Sequence, residues 1–295
     1  MGGGFLPPVT ILFAMQKRVE FHGCTFAYRH EGSGEPLLLI QGVGLHGDGW
    51  LPQAANLKDK FRVITFDNRG MGASQPIGAP LTVEQMAADA LAIMDAEGIR
   101  AAHIIGHSLG GCVAQAIALT SPDRVKSLAL LCTSARGADA TDLTFAMLWL
   151  GMRTRLGSRR MRRSAFLQLV LSPSYFAAND PDRIARELEP LFGHDLADTP
   201  PIVMRQLQAL KRFDATARLP NLAGISTLVI SAEHDKIFPT RCGRALHSAI
   251  PGSDFVQISG AAHGVTIERA HEVNEVLVDH IRRAAAVGRV ASIQA

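Results

Sequence analysis

The sequence predicts an α/β protein, a mainly parallel sheet covered by helices and interrupted by a helical insertion. Three observations predict it. Short apolar runs with strand character alternate with helical patterns in both halves of the chain. Between Arg136 and about Leu219 the alternation stops, and helix-like segments follow one another with little strand character. At residues 106–111 an apolar run passes into a small-residue helical pattern through Gly-His-Ser-Leu-Gly-Gly, a turn crowded enough to require small residues.

In chain order, residues 17–22 and 24–30 read as two strands joined at Gly23, and Glu31-Gly32-Ser33-Gly34-Glu35-Pro36 is a turn by composition. A buried strand over 37–40 precedes a glycine-containing loop, and a further strand covers 62–66. Thr82 caps a helix running to about Glu97 and ended by Gly98, with Met86, Ala90, Ile93 and Met94 facing inward. Residues 101–105 form the strand before the small-residue turn, 113–119 belong to the helix after it, and 127–132 form another strand. Within the insertion, 143–150, 164–171, 181–188 and 202–210 have helical character. Strands return at 225–232 and 255–258. No internal repeat is visible.

Composition narrows the function classes. A chain of 295 residues with 47% hydrophobic content builds a sizeable core, as one large α/β domain or two smaller ones. A net charge of +3 gives no general argument for nucleic acid. No apolar run approaches the roughly 20 residues needed to cross a bilayer. Cys24, Cys112, Cys132 and Cys242 are scattered without metal-ligand spacing and read as ordinary buried residues, which fits a reducing cytoplasm. Residues 1–16 read as an N-terminal extension lacking the basic region of a secretory signal, with Met15 a candidate start.

The candidate chemistry begins at Ser108. A strained strand-to-helix turn exposes its hydroxyl, with Gly106 and Gly110 relieving the crowding two positions to either side. A hydroxyl is a weak nucleophile at neutral pH, so it needs a base, and the base needs an orienting group. Glu233-His234-Asp235 follows the strand at 225–232, and Gly260-Ala261-Ala262-His263-Gly264 follows the strand at 255–258. Both lie past the carboxyl end of a strand, where open α/β sheets hold their ligands. Asp235 is taken as the orienting acid, with Glu233 as its neighbouring rival, and His263 as the base. His107 is read as structural.

With Asp67-Asn68-Arg69-Gly70-Met71-Gly72-Ala73-Ser74, similar to a D-x-R-G-x-G-x-S loop, these motifs resemble the α/β-hydrolase superfamily, and the esterase, lactonase and haloperoxidase-like branch in particular. The resemblance spans about Val19 to Ile281. It implies an eight-stranded sheet, a core formed by 17–135 and 220–295, and a helical cap over 136–219 after the sixth strand. It implies an oxyanion hole from the backbone N–H groups of Val43 and Leu109, although Gln41-Gly42 stands where the family usually carries His-Gly. It further implies cleavage of a small ester or lactone through an acyl-enzyme, without metal or organic cofactor.

Phe145, Trp149, Phe166, Phe176 and Phe192 are candidate pocket residues, and Trp50, with His46 and Asp48, is placed at the entrance. Asp67 and Arg69 are read as braces for the loops. The six arginines between Arg153 and Arg163 read as a solvated helix face in preference to a trap for an anionic substrate. Serine at the turn argues against dehalogenase and epoxide-hydrolase relatives, which use Asp there. The same fold also houses cofactor-free dioxygenases, C–C bond hydrolases, lyases and ligand receptors, so these classes remain alternatives. The expected partner is a small-molecule substrate, with no nucleic acid or membrane, in a cytoplasmic monomer or homodimer.

Overall fold

The computed structural model describes residues 16–76, 81–140 and 145–293, with side chains described for all of these except 145–148 and 287–293. The expected extension at residues 1–16 falls almost wholly outside them. Eight strands form one sheet: β1 (Lys17–Phe21), β2 (Cys24–Glu31), β3 (Glu35–Ile40), β4 (Phe61–Phe66), β5 (Ala102–His107), β6 (Val125–Leu131), β7 (Thr227–Ala232) and β8 (Asp254–Ile258). Their spatial order is β1-β2-β4-β3-β5-β6-β7-β8. The pairs β1–β2 and β2–β4 are antiparallel, and every pair from β4–β3 onward is parallel. Strands β5 and β7 are buried at every position. That is the pattern of parallel strands covered on both faces, and it explains why neither strand alternates apolar with exposed polar residues.

Helices α1 (Leu51–Leu57), α2 (Val83–Ala96) and α3 (Leu109–Thr120) cover the first half. Thr82 caps α2 as expected, its side chain accepting from the Gln85 N–H. Between β6 and β7 lie α4 (Phe145–Arg153), α5 (Arg159–Val170), α6 (Pro173–Ala178), α7 (Pro181–Phe192) and α8 (Pro201–Arg212). After β7 come α9 (Thr240–Ala249), α10 (Val265–Glu268) and α11 (Ala270–Ile293). Alternate residues of β3 point to opposite faces, and so does the packing. Leu38 and Ile40 join the core beneath α2 and α3, while Leu37 and Leu39 join the core beneath α1 and α11. The insertion holds its own apolar cluster, built on Leu167, Ile184, Leu188 and Leu191. Helix α6 went unnoticed in the sequence pattern because it is short, although Ser172 capping it and Pro173 opening it are start signals.

Three of the six arginines in the basic run of the insertion are matched by carboxylates of the insertion itself. Arg159 Nη2 lies 2.7 Å from Asp195 and 2.8 Å from Asp198, Arg160 Nε lies 3.0 Å from Asp182, and Arg163 pairs with Asp195. No helix among the described residues is long and apolar enough to cross a membrane.

An ion-pair network around the buried Glu97 carboxylate ties the antiparallel edge to α2. Glu97 receives Lys17 Nζ at 2.9 Å and the Tyr28 hydroxyl at 3.0 Å, and also pairs with Arg62. Burial raises the Glu97 carboxyl, but the hydrogen bonds from Lys17 and Tyr28 and the surrounding positive charge outweigh it and hold the group at about 2, against an ordinary 4.5. A depressed carboxylate contributes stability above its unfolded pKa and loses it as pH falls toward the folded value. The thermal unfolding temperature is therefore expected to fall as pH drops from about 5 to 2, and to fall more shallowly in Glu97→Gln. Parallel pH profiles of wild type and variant would refute this role.

Candidate active site

Ser108 sits at the β5–α3 junction with φ 57° and ψ −121°. Such a backbone costs on the order of 1–3 kcal/mol and persists only where its surroundings enforce it. Here they do. An added Cβ on Gly106 would fall 2.1 Å from the Gly110 carbonyl oxygen, and one on Gly110 would fall 2.0 Å from that of Ile40. The Ser108 N–H donates to Leu131 O at 2.9 Å, and the Thr133 hydroxyl donates to Ser108 O at 2.8 Å. The loop after β3 passes directly against the serine, since a Cβ on Gly42 would lie 3.4 Å from Ser108 Oγ.

Asp235 and His263 converge from the ends of β7 and β8. His263 Nδ1 lies 2.8 Å from Asp235 Oδ2, with the carboxylate fully buried. Asp235 Oδ1 is saturated by the N–H groups of Ile237 at 2.7 Å and Phe238 at 2.9 Å. A carboxylate oxygen only accepts, so Nδ1 carries the proton and Nε2 of the neutral ring is left as an acceptor. Glu233, the rival acid, is occupied elsewhere, accepting from the Gly260 N–H at 2.8 Å. Both Ser108 and His263 line the same cavity. Among the described residues the serine hydroxyl makes no hydrogen bond to the imidazole; such contacts are often long in ligand-free enzymes.

Two residues support His263 in ways its local sequence does not reveal. His107 Nε2 donates to the His263 carbonyl at 2.9 Å. Burial, then the neighbouring His263, pushes His107 down to about 3, so it stays a neutral donor. Trp50 lies edge-on to the His107 ring, centroids 6.4 Å apart. Glu268 accepts from the Ala262 N–H at 3.2 Å and from the Ser172 N–H at 3.0 Å, joining the histidine loop to the start of α6.

The loop at Gln41–Gly44 is anchored at three points. Asn68 Nδ2 donates to Gln41 O at 3.0 Å, the Gln41 side chain accepts from the Gly42 N–H at 3.2 Å, and Gln206 Oε1 accepts from the Gly44 N–H at 2.9 Å. Among the described residues the N–H groups of Val43 and Leu109 are engaged by no other hydrogen bond. Asp67 braces the neighbouring loops by accepting from the N–H groups of Gly47 at 2.9 Å and Ala73 at 3.1 Å. Arg69 is locked in a buried pair, its Nε 2.9 Å from Asp89. Gln206 is another residue that sequence reasoning missed. Replacing it with Met leaves the Gly44 N–H without a partner and frees the Val43 amide to shift. The expected result is a fall in kcat of roughly 10- to 100-fold with KM little changed, measured on a chromogenic ester. An unaltered kcat would mean that Gln41 and Asn68 hold the loop unaided.

Above Ser108 lies a cavity of about 910 Å3 whose walls come largely from the insertion. Of the sequence-predicted pocket aromatics, Trp149, Phe166 and Phe192 line it. Two do not, and the expectation for them is corrected. Trp50 is wholly buried against His107, and Phe176 packs on the apolar cluster of the insertion. An apolar stripe has the same periodicity whichever partner it faces. The Phe145 side chain lies outside the described residues.

A family model for the alpha/beta hydrolase fold matches residues 35–270. The chain belongs to the α/β-hydrolase family. A Caulobacter segnis protein named "Putative carbamate hydrolase RutD" is 30% identical, covering 90% of this chain and 96% of that one. Its namesake from Variovorax paradoxus is 32% identical over 93% and 99%. Among solved structures, the enol-lactonase from Burkholderia xenovorans LB400 is 27% identical with a TM-score of 0.76, covering 90% of this chain and all of that one. A thermophilic esterase from Thermogutta terrifontis is 29% identical with a TM-score of 0.75, covering 92% and 99%.

This α/β hydrolase also brings Cys132 to the site, which its sequence spacing did not suggest. His107, Cys132 and His263 present ligand atoms within 4.8 Å of one another. Burial, and then the Asp235 charge, pushes the Cys132 thiol well above its usual range, so it stays protonated. A metal would need that thiol ionised, which this buried setting beside the acid opposes.

Proposed function

We propose that the chain is a serine hydrolase that cleaves a carboxylic ester or lactone through an acyl-enzyme. The observation that carries this reading is the 2.8 Å contact between His263 Nδ1 and an Asp235 whose other oxygen is already saturated. It leaves Nε2 as the one basic position of the ring, in a cavity shared with a serine on a strained turn.

In the first half-reaction Ser108 Oγ attacks the ester carbonyl carbon while His263 Nε2 takes the hydroxyl proton. The carbonyl electron pair moves onto oxygen, which the amides of Val43 and Leu109 receive. Asp235 holds the ring in register and stabilises its charged form. Collapse breaks the bond to the leaving oxygen, which departs as the alcohol with the proton from His263. Water then attacks the acyl-enzyme, giving up its proton to His263, and Ser108 recovers a proton as the acid leaves. The sum is ester plus water to acid plus alcohol, and for a lactone the hydroxy acid.

The enol-lactonase and esterase neighbours support the ester and lactone reading. The name of the RutD proteins points to carbamates, whose carbonyl is open to the same attack. The test is intact mass after treatment with a fluorophosphonate. One adduct is expected, lost in Ser108→Ala; an adduct elsewhere, or none, overturns the reading.

A further inference from the structure

We infer, on the basis of that serine-hydrolase reading, that the substrate is an uncharged ester or lactone with a long apolar acyl arm housed among the insertion helices, and not a small polar carbamate. Size is the first argument. One water occupies ~30 Å3 in the liquid, so a cavity of about 910 Å3 has room for about thirty groups of methylene size. A carbamate would leave most of it empty. The volume stands near the top of the ~300–1,000 Å3 range of small-molecule sites.

The walls are the second argument. Phe166, Leu188 and Phe192 line the cavity from α5 and α7, and Val203, Leu207 and Leu210 from α8. Three large apolar side chains on these walls remain uncovered: Trp149 at 53% exposure, Met152 at 45% and Leu207 at 39%. Apolar area left open on a cavity wall is removed from water when an apolar guest enters, and that supplies binding free energy.

Charge is the third. Among the described lining residues Arg155 is the one arginine or lysine. It is exposed, and its guanidinium rests on the Met204 thioether at 3.1 Å. Asp198, the lining carboxylate, is engaged with Arg159. Nothing in the described wall offers a free buried cation to an anionic carbamate or to a charged acyl group.

The experiment measures kcat/KM for p-nitrophenyl acetate, butyrate, octanoate and dodecanoate, and compares phenyl octanoate with phenyl carbamate. Each methylene that becomes fully buried is expected to raise kcat/KM by about fourfold, so the gain from acetate to octanoate exceeds tenfold. Phenyl octanoate is expected to exceed phenyl carbamate by a similar margin. Leu207→Asp, at a partly exposed wall position, is expected to flatten the chain-length slope. The same preparation is treated with the fluorophosphonate. An adduct on Ser108 together with a flat or falling slope, or with faster carbamate turnover, overturns the acyl-arm assignment and leaves the serine reading standing. Absence of the adduct overturns both.

Discussion

Ser108→Ala is expected to lower kcat on an ester by roughly ten-thousand- to a million-fold while the protein remains folded. The size of the effect follows from what the hydroxyl is asked to do. On the proposed mechanism no acyl-enzyme forms without it, and the remaining route would be direct attack by water, helped only by the proposed Val43 and Leu109 donors and by binding in the cavity. His263→Ala is expected to cost about as much, because a serine without its base is nearly as inert as no serine. The double variant should then be little worse than either single one, since the two groups act as a unit. Steady-state turnover and the initial burst of released nitrophenol are the readouts. Additive losses in the double variant, or a Ser108→Ala protein within tenfold of wild type, would place the chemistry elsewhere.

The parts of this site that were legible in the sequence are those whose physical demands are local. Gly106 and Gly110 are required by backbone atoms a few residues away or on the adjoining strand, and the resulting five-residue pattern can be read without knowing the fold. Thr82 and Gly98 mark α2 for the same reason. The largely apolar character of β5 and β7, without inside–outside alternation, follows from burial on both faces of the sheet. What could not be read are partners fixed by packing across the chain. Gln206 on α8 looks like one more polar residue of an amphipathic helix, yet it is fully buried and holds the N–H of Gly44, 162 residues earlier. His107 was read as structural, but its partner, the carbonyl of His263, lies 156 residues away and could not be read. Trp50 and the insertion aromatics illustrate the same limit. Periodicity says that a side chain is covered, and only the fold says whether core or cavity covers it.

Asp235→Asn tests the proposed orienting acid more sharply than deletion does. Oδ1 accepts from two backbone N–H groups, those of Ile237 and Phe238. An amide nitrogen cannot replace it there, because donors would face donors. The Asn carbonyl oxygen must take the Oδ1 position, and the amide nitrogen must take the Oδ2 position, 2.8 Å from His263 Nδ1. The amide then donates to Nδ1, which loses its proton to Nε2. A protonated Nε2 has no lone pair for the serine proton, so the base is present, correctly placed and in the wrong tautomer. The expected fall in kcat is about ten-thousand-fold. The fold should be nearly untouched, since both backbone donors keep their acceptor. Asp235→Ala instead leaves those two N–H groups buried without partners, at a cost of about 1–3 kcal/mol each, so it should lose stability as well as activity. Thermal unfolding separates the two variants, and nitrogen NMR of the His263 ring reports the tautomer directly. A loss in Asp235→Asn of less than tenfold would mean that the contact of His107 with the His263 carbonyl orients the base without the carboxylate.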